Sequence, residues 1–126
     1  MVRDWIVVRK VLELAEQDKL PQALRTGDYS TRTDPISEDV MLGHIEILAD
    51  AGILKGCDIH RDLAGHIVRV NVQGAFVSMA GHDLLDALRD QNVWTAMLAK
   101  ARSIGVTVSW EFIKAALPIV LRDLLK

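Results

Sequence analysis

Apolar residues recur along this chain first at helical spacing, then in alternation, then at helical spacing again. Trp5, Val8, Val11, Leu12 and Ala15 make one face of a helix over Asp4 to Gln17. Asp4 can cap its start and suits the positive end of the helix dipole. Residues 18–35 carry Pro21, Gly27 and Pro35 among polar side chains. That stretch reads as irregular, with one short strand near Ala23–Tyr29.

The next segment, Ser37 to Leu54, is the most informative. Ser37 caps a helix, Ile36 before it can staple onto Met41, and Met41, Ile45 and Leu48 form the inward stripe. Gly52 sits where a left-handed C-terminal residue is wanted. A strand follows from Ile53 to about Ile59, then a polar loop from His60 to Gly65. Ile67, Arg69, Asn71 and Gln73 alternate with Val68, Val70 and Val72, so Ile67–Val72 is the return strand of a hairpin. Ser78 then caps a helix over MAGHDLLDALRD. Trp94–Ser103 continues helically to a stop at Gly105, and Ser109 caps a last helix containing Pro118, which should kink it.

This order predicts an α+β chain. A winged-helix-like part (helix, capped helix, two-stranded wing) occupies residues 1–77, and two or three appended C-terminal helices occupy 78–126. The second helix of a typical winged helix finds little support in residues 18–35.

Two segments resemble known families. The run from His44 to Leu54, HIEILADAGIL, resembles the recognition-helix-and-turn signature of winged-helix repressors. The segment from Ala80 to Asp90, AGHDLLDALRD, with Val93-Trp94 beyond it and Arg3-Asp4 at the start, is similar to a family of small uncharacterised bacterial and prophage proteins, a domain of unknown function. That resemblance covers nearly the whole chain. It implies a helix, a winged-helix-like middle and a helical tail, and it carries over no catalytic residue.

Composition narrows the function. The chain has 126 residues, half of them apolar and a quarter charged, which suits one soluble domain. No apolar run approaches the roughly 18 residues of a membrane span. The N-terminal helix is amphipathic and is no signal peptide. The lone Cys57 has no disulfide partner, and a cytoplasmic location follows as the expectation.

The net charge of −2 lacks the basic excess usual for a phosphate-binding protein. Residues 36–54 hold Glu38, Asp39, Glu46 and Asp50 and no Lys or Arg. The outward positions of that helix are Val40, Leu42, Gly43, Glu46 and Asp50. Base readout wants Arg, Lys, Asn or Gln, and phosphate wants cations. DNA contact would therefore fall to the wing, through Arg61 and Arg69 with Lys55, His60 and His66 nearby.

Cys57, His60 and His66 are ligand types zinc accepts, but a structural site needs four, so no metal or other cofactor is expected. Gly-His recurs at 43–44, 65–66 and 81–82. His44 and His82 could approach each other for acid–base work, or each could simply bond backbone at a helix junction. No phosphate loop or nucleophile constellation accompanies them, so an enzyme is not expected.

Finally, Ile113, Leu117, Val120, Leu121 and Leu124 make a stripe on the last helix that Phe112, Ala116, Ile119 and Leu125 widen beyond one face. That surplus predicts a homodimer through the C-terminal helices. Two functions stand: first, on the fold, a small regulator of the winged-helix type contacting DNA through the wing and the residues around Ser37, and as the alternative a protein-interaction module that kept the scaffold without the reading face. Val40, Leu42, Gly43, Glu46, Arg61 and Arg69 are the candidate contact residues.

Overall fold

The computed structural model describes residues 3–124. The chain is α+β, with six helices and two small antiparallel sheets among those residues. It divides into two compact units between His82 and Asp83.

In the first unit, α1 (Trp5–Glu16) starts as expected, with the Asp4 carboxylate accepting from the Ile6 N–H at 2.9 Å. Its buried side holds Val7, Val8, Val11, Leu12, Leu14 and Ala15 and packs on α2, α3 and β4. The helix closes with Asp18 at φ 57°, the Lys19 N–H reaching back to the Leu14 carbonyl at 2.8 Å. An aspartate tolerates that left-handed position better than most residues.

The irregular reading of residues 18–35 holds for 27–35 and is corrected for the stretch before it. α2 runs Leu20–Thr26, and no strand forms near Ala23–Tyr29. Pro21 lies in the first turn, where its missing N–H costs nothing, and Gly27 ends the helix at φ 74°. Leu20 and Ala23 turn inward, and Tyr29 is buried just beyond. Two residues read as breakers are in fact the two ends of a short helix.

α3 (Glu38–Asp50) begins at Ser37, whose Oγ accepts from the Val40 N–H at 3.3 Å. Gly52 is left-handed at φ 72°, and the Ile53 N–H returns to the Leu48 carbonyl at 3.0 Å. That closure leaves Ile53 and Leu54 buried at the mouth of the hairpin.

The hairpin is longer and more broken than its alternation suggests. Four short strands replace the two expected: β1 (Leu54–Lys55), β2 (Asp58–Arg61), β3 (Ile67–Asn71) and β4 (Phe76–Val77). β1 pairs with β4 at the base and β2 with β3 in the arm. The interruption has a steric cause. Gly56 sits at φ 78°, and a Cβ there would lie 2.1 Å from the Gly74 carbonyl oxygen. The two chains therefore touch backbone to backbone, which only glycine permits.

Pairing also extends past His60 to Arg61, so the loop is shorter than expected. Asp62 builds its tip by accepting from the Ala64 and His66 N–H groups, both at 2.9 Å. Burial along the valine side falls from Val72 at the base to Val70 and then to Val68, which is 63% exposed. The arm is a solvated projection.

α4 (Met79–Arg89) leaves the base of the hairpin. Ser78 Oγ accepts from the Gly81 N–H at 3.1 Å and donates to the Ile53 carbonyl at 3.0 Å. A Cβ at Gly81 would meet that same carbonyl oxygen at 2.4 Å. In the second unit, α5 (Gln91–Ile104) starts three residues before the expected Trp94, because Asp90 caps it through the Asn92 and Val93 N–H groups. Gly105 ends it in the left-handed region as expected.

α6 (Trp110–Leu124) starts at Ser109, whose Oγ accepts from the Phe112 N–H at 3.1 Å, and it packs on α5. Ile113, Ala116 and Val120 are its buried residues, while Ile119, Leu121 and Leu124 stay exposed. Leu125 of the expected stripe lies outside the described residues. No helix among the described residues is long and apolar enough to cross a membrane.

Candidate functional site

α3 has two sides with different chemistry. Inward, beside Met41, Ile45 and Leu48, sits His44, fully buried. Its Nε2 accepts from the Asp4 N–H at 2.9 Å. Its Nδ1 lies 2.7 Å from the Val40 carbonyl. Those two bonds select the neutral tautomer with hydrogen on Nδ1, and both ring nitrogens are satisfied. His44 thus ties the start of α1 to α3. His82 is exposed, and its Nδ1 lies 3.7 Å from Glu16. The two histidines have separate partners, as the backbone-bonding alternative for His44 requires.

Outward, the candidate residues separate. Glu46 and Arg61 come together: the Arg61 guanidinium donates to the Glu46 carboxylate and to the Gly65 carbonyl. The tip of the hairpin arm is thereby tied to the outer side of α3. Leu42 and Arg69 share a groove of about 650 Å³ between α2, α3 and β3. Leu24 and Arg25 of α2 and Glu38 and Asp39 of α3 also line it. Val40 lies apart, in a second groove with Asp4, Ile6 and Ser37. Gly43 is half-buried and lines neither groove. The six residues do not form one surface.

The contact residues expected from the sequence lack Leu24 and Arg25, because residues 18–35 read as irregular. The signal is present in the spacing of Leu20, Ala23 and Leu24, with Pro21 in the first turn and Gly27 just beyond.

Two titrating groups are perturbed. Burial pushes the Tyr29 phenol above its usual value, and the Glu38 carboxylate pushes it the same way. Burial also raises the Cys57 thiol, with Asp58 adding to it, so Cys57 is a weak nucleophile at neutral pH. Among the described residues no three His, Cys, Asp or Glu side chains gather as a metal site would need.

Residues 2–107 match a protein family described as Hypothetical protein (DUF2513). The chain belongs to this family. The match ends before α6. A relative from Haemophilus influenzae (strain ATCC 51907 / DSM 11121 / KW20 / Rd), named only "Uncharacterized protein", is 24% identical over 125 residues, 99% of each chain. No solved structure matches the chain significantly.

Proposed function

We propose that this member of the family is a protein-interaction module on a winged-helix-like scaffold, acting in the cytoplasm, and that it does not read DNA through α3. One observation carries the reading. The wing cation closest to α3, Arg61, is already spent on Glu46 and Gly65. DNA contact needs cations free to meet phosphate, and the helix itself offers only Glu38, Asp39, Glu46 and Asp50. The groove holding Leu42, Leu24 and Arg69 is the docking surface in this reading, lined by apolar side chains together with charges of both signs.

The regulator reading retains one supporting observation. Arg69 is exposed on β3 and has no ion-pair partner among the described residues. Fluorescence anisotropy with random duplex DNA at 50 mM salt separates the two, because non-specific attraction is strongest at low salt. The expected result is no binding at micromolar protein. Binding that weakens steeply with salt, with a slope flattened by about one to two units in the Arg61→Ala/Arg69→Ala variant, would replace this proposal with the regulator.

Self-association belongs to the same reading. Phe112 and Ile119 lie on the flank of α6 opposite Leu117 and Leu121, and Ile119 is 36% exposed. Light scattering at tens of micromolar is expected to give twice the 14.0 kDa chain mass, and a monomer there removes the dimer.

A further inference from the structure

A different surface lies wholly within the second unit. Residues of α4, α5 and α6 enclose a cleft of about 430 Å³, in the range of sites that seat several side chains. Its floor is apolar: Ala87, Val93, Leu117, Pro118 and Leu121. Leu121 remains 42% exposed there. Apolar area left in water at a concave site is what binding would remove.

The rim is acidic and unbalanced. Asp83 and Asp86 stand three residues apart on α4, hence on one face, and both are exposed. Neither carboxylate has an ion-pair or hydrogen-bond partner among the described residues. Neither lies in the first turn of α4, so the helix dipole gives no reason for them. Like charges at this spacing weaken a helix slightly. Asp90, also at the cleft, differs, because its carboxylate is committed to capping α5. An apolar floor beside two bare carboxylates is thus a feature that folding does not use.

We infer that this cleft seats the apolar face of a basic amphipathic helix from a partner protein, with its Lys or Arg side chains against Asp83 and Asp86. The chemistry selects that occupant. An apolar helix face fills the floor at i, i+3, i+4 spacing, and flanking cations meet the rim. Nucleic acid is repelled by the carboxylates. A second copy docked cleft to cleft would bring both copies' Asp83 and Asp86 into one interface, and the cleft lining supplies no cation to offset them. The inference stands apart from the α3 groove and survives its failure.

The test uses the full chain and a dye-labelled amphipathic peptide of Leu and Lys, about 18 residues or five turns long, read by anisotropy. A Leu and Glu peptide of the same pattern is the charge control. The Leu/Lys peptide is expected to bind at micromolar Kd and the Leu/Glu peptide not to bind. Asp83→Asn with Asp86→Asn should weaken binding by about tenfold. Leu121→Ser, with an unchanged circular dichroism spectrum, should weaken it comparably. Asp28→Asn with Asp58→Asn removes the same charge at two exposed positions outside both grooves and should leave Kd within about twofold.

Three outcomes overturn the inference. They are no binding by wild type, equal loss in the two charge-removal variants, and unchanged binding in Leu121→Ser.

Discussion

α3 and α4 both carry acids outward, and one acid near the middle of α3 meets a different fate from two near the middle of α4. Glu46 of α3 receives the Arg61 guanidinium from the wing. Asp83 and Asp86 of α4 receive nothing from the described residues. α3 is also the better anchored of the two to chemistry on its inner side, where His44 bridges to the start of α1. An acid's role therefore cannot be judged from its own helix. It depends on which distant element the backbone brings over it, and here that element is a hairpin arm whose course is set by a contact between two glycines.

The sharpest way to erase the contrast is to move the arm. Gly56→Val puts a branched side chain where even a Cβ would lie 2.1 Å from the Gly74 carbonyl oxygen, at a left-handed φ. A cost of about 3 kcal/mol is expected, together with loss of the Arg61–Glu46 pair. Denaturant melts measure the first. An unchanged midpoint would mean that the arm tolerates another path.

Next comes the inner side of α3. His44→Ala removes a fully buried ring and leaves the Asp4 N–H without its acceptor. About 2–4 kcal/mol should be lost. Amide exchange at Asp4 should quicken as well, and continued protection there would show another acceptor taking over.

Gly52 follows, because it ends α3 and aims the hairpin. Gly52→Ala should cost about 1 kcal/mol from the left-handed φ alone, since the space around its Cβ is open. Gly52→Val should cost more. Equal thermal midpoints for all three proteins would contradict the observed closure.

The outer sides are expected to matter least for stability. Glu46→Gln should cost less than about 1 kcal/mol, because the pair is part-exposed, and the loss should shrink in high salt. Asp83→Asn with Asp86→Asn should change stability by no more than about 0.5 kcal/mol, in the favourable direction if either, because no partner is lost. If the α4 double variant proves the more destabilising of the two, the acids are structural and the contrast is gone.

Much of the fold was legible in the pattern of residues. Asp4, Ser37 and Ser109 sit at helix starts, and Gly52 and Gly105 at helix ends, where local chemistry puts them. Caps act within a few residues, so a sequence displays them directly. α2 is hidden because seven residues are too few for a clear period, and Pro21 and Gly27 read as breakers before they read as its two ends. The split hairpin escaped for a different reason. Nothing near Gly56 announces that Gly74 will press against it.

The candidate site was less legible than the fold. Leu42, Glu46, Arg61 and Arg69 were identified from their own segments as outward-facing or cationic. Their grouping was not visible: Glu46 with Arg61 across fifteen positions, Leu42 with Arg69 across a groove that includes the unforeseen α2, and Val40 elsewhere.

The sequence alone determined where helices begin and stop, which side of each is apolar, that the chain is α+β, and that α3 carries acids without a cation. Those properties follow from interactions between near neighbours. The tertiary structure decided which acids are balanced, where the arm bends, and that an apolar cleft with bare carboxylates stands among α4, α5 and α6. Those depend on approaches between residues far apart in the chain, and no local pattern encodes such an approach until the backbone has closed around it.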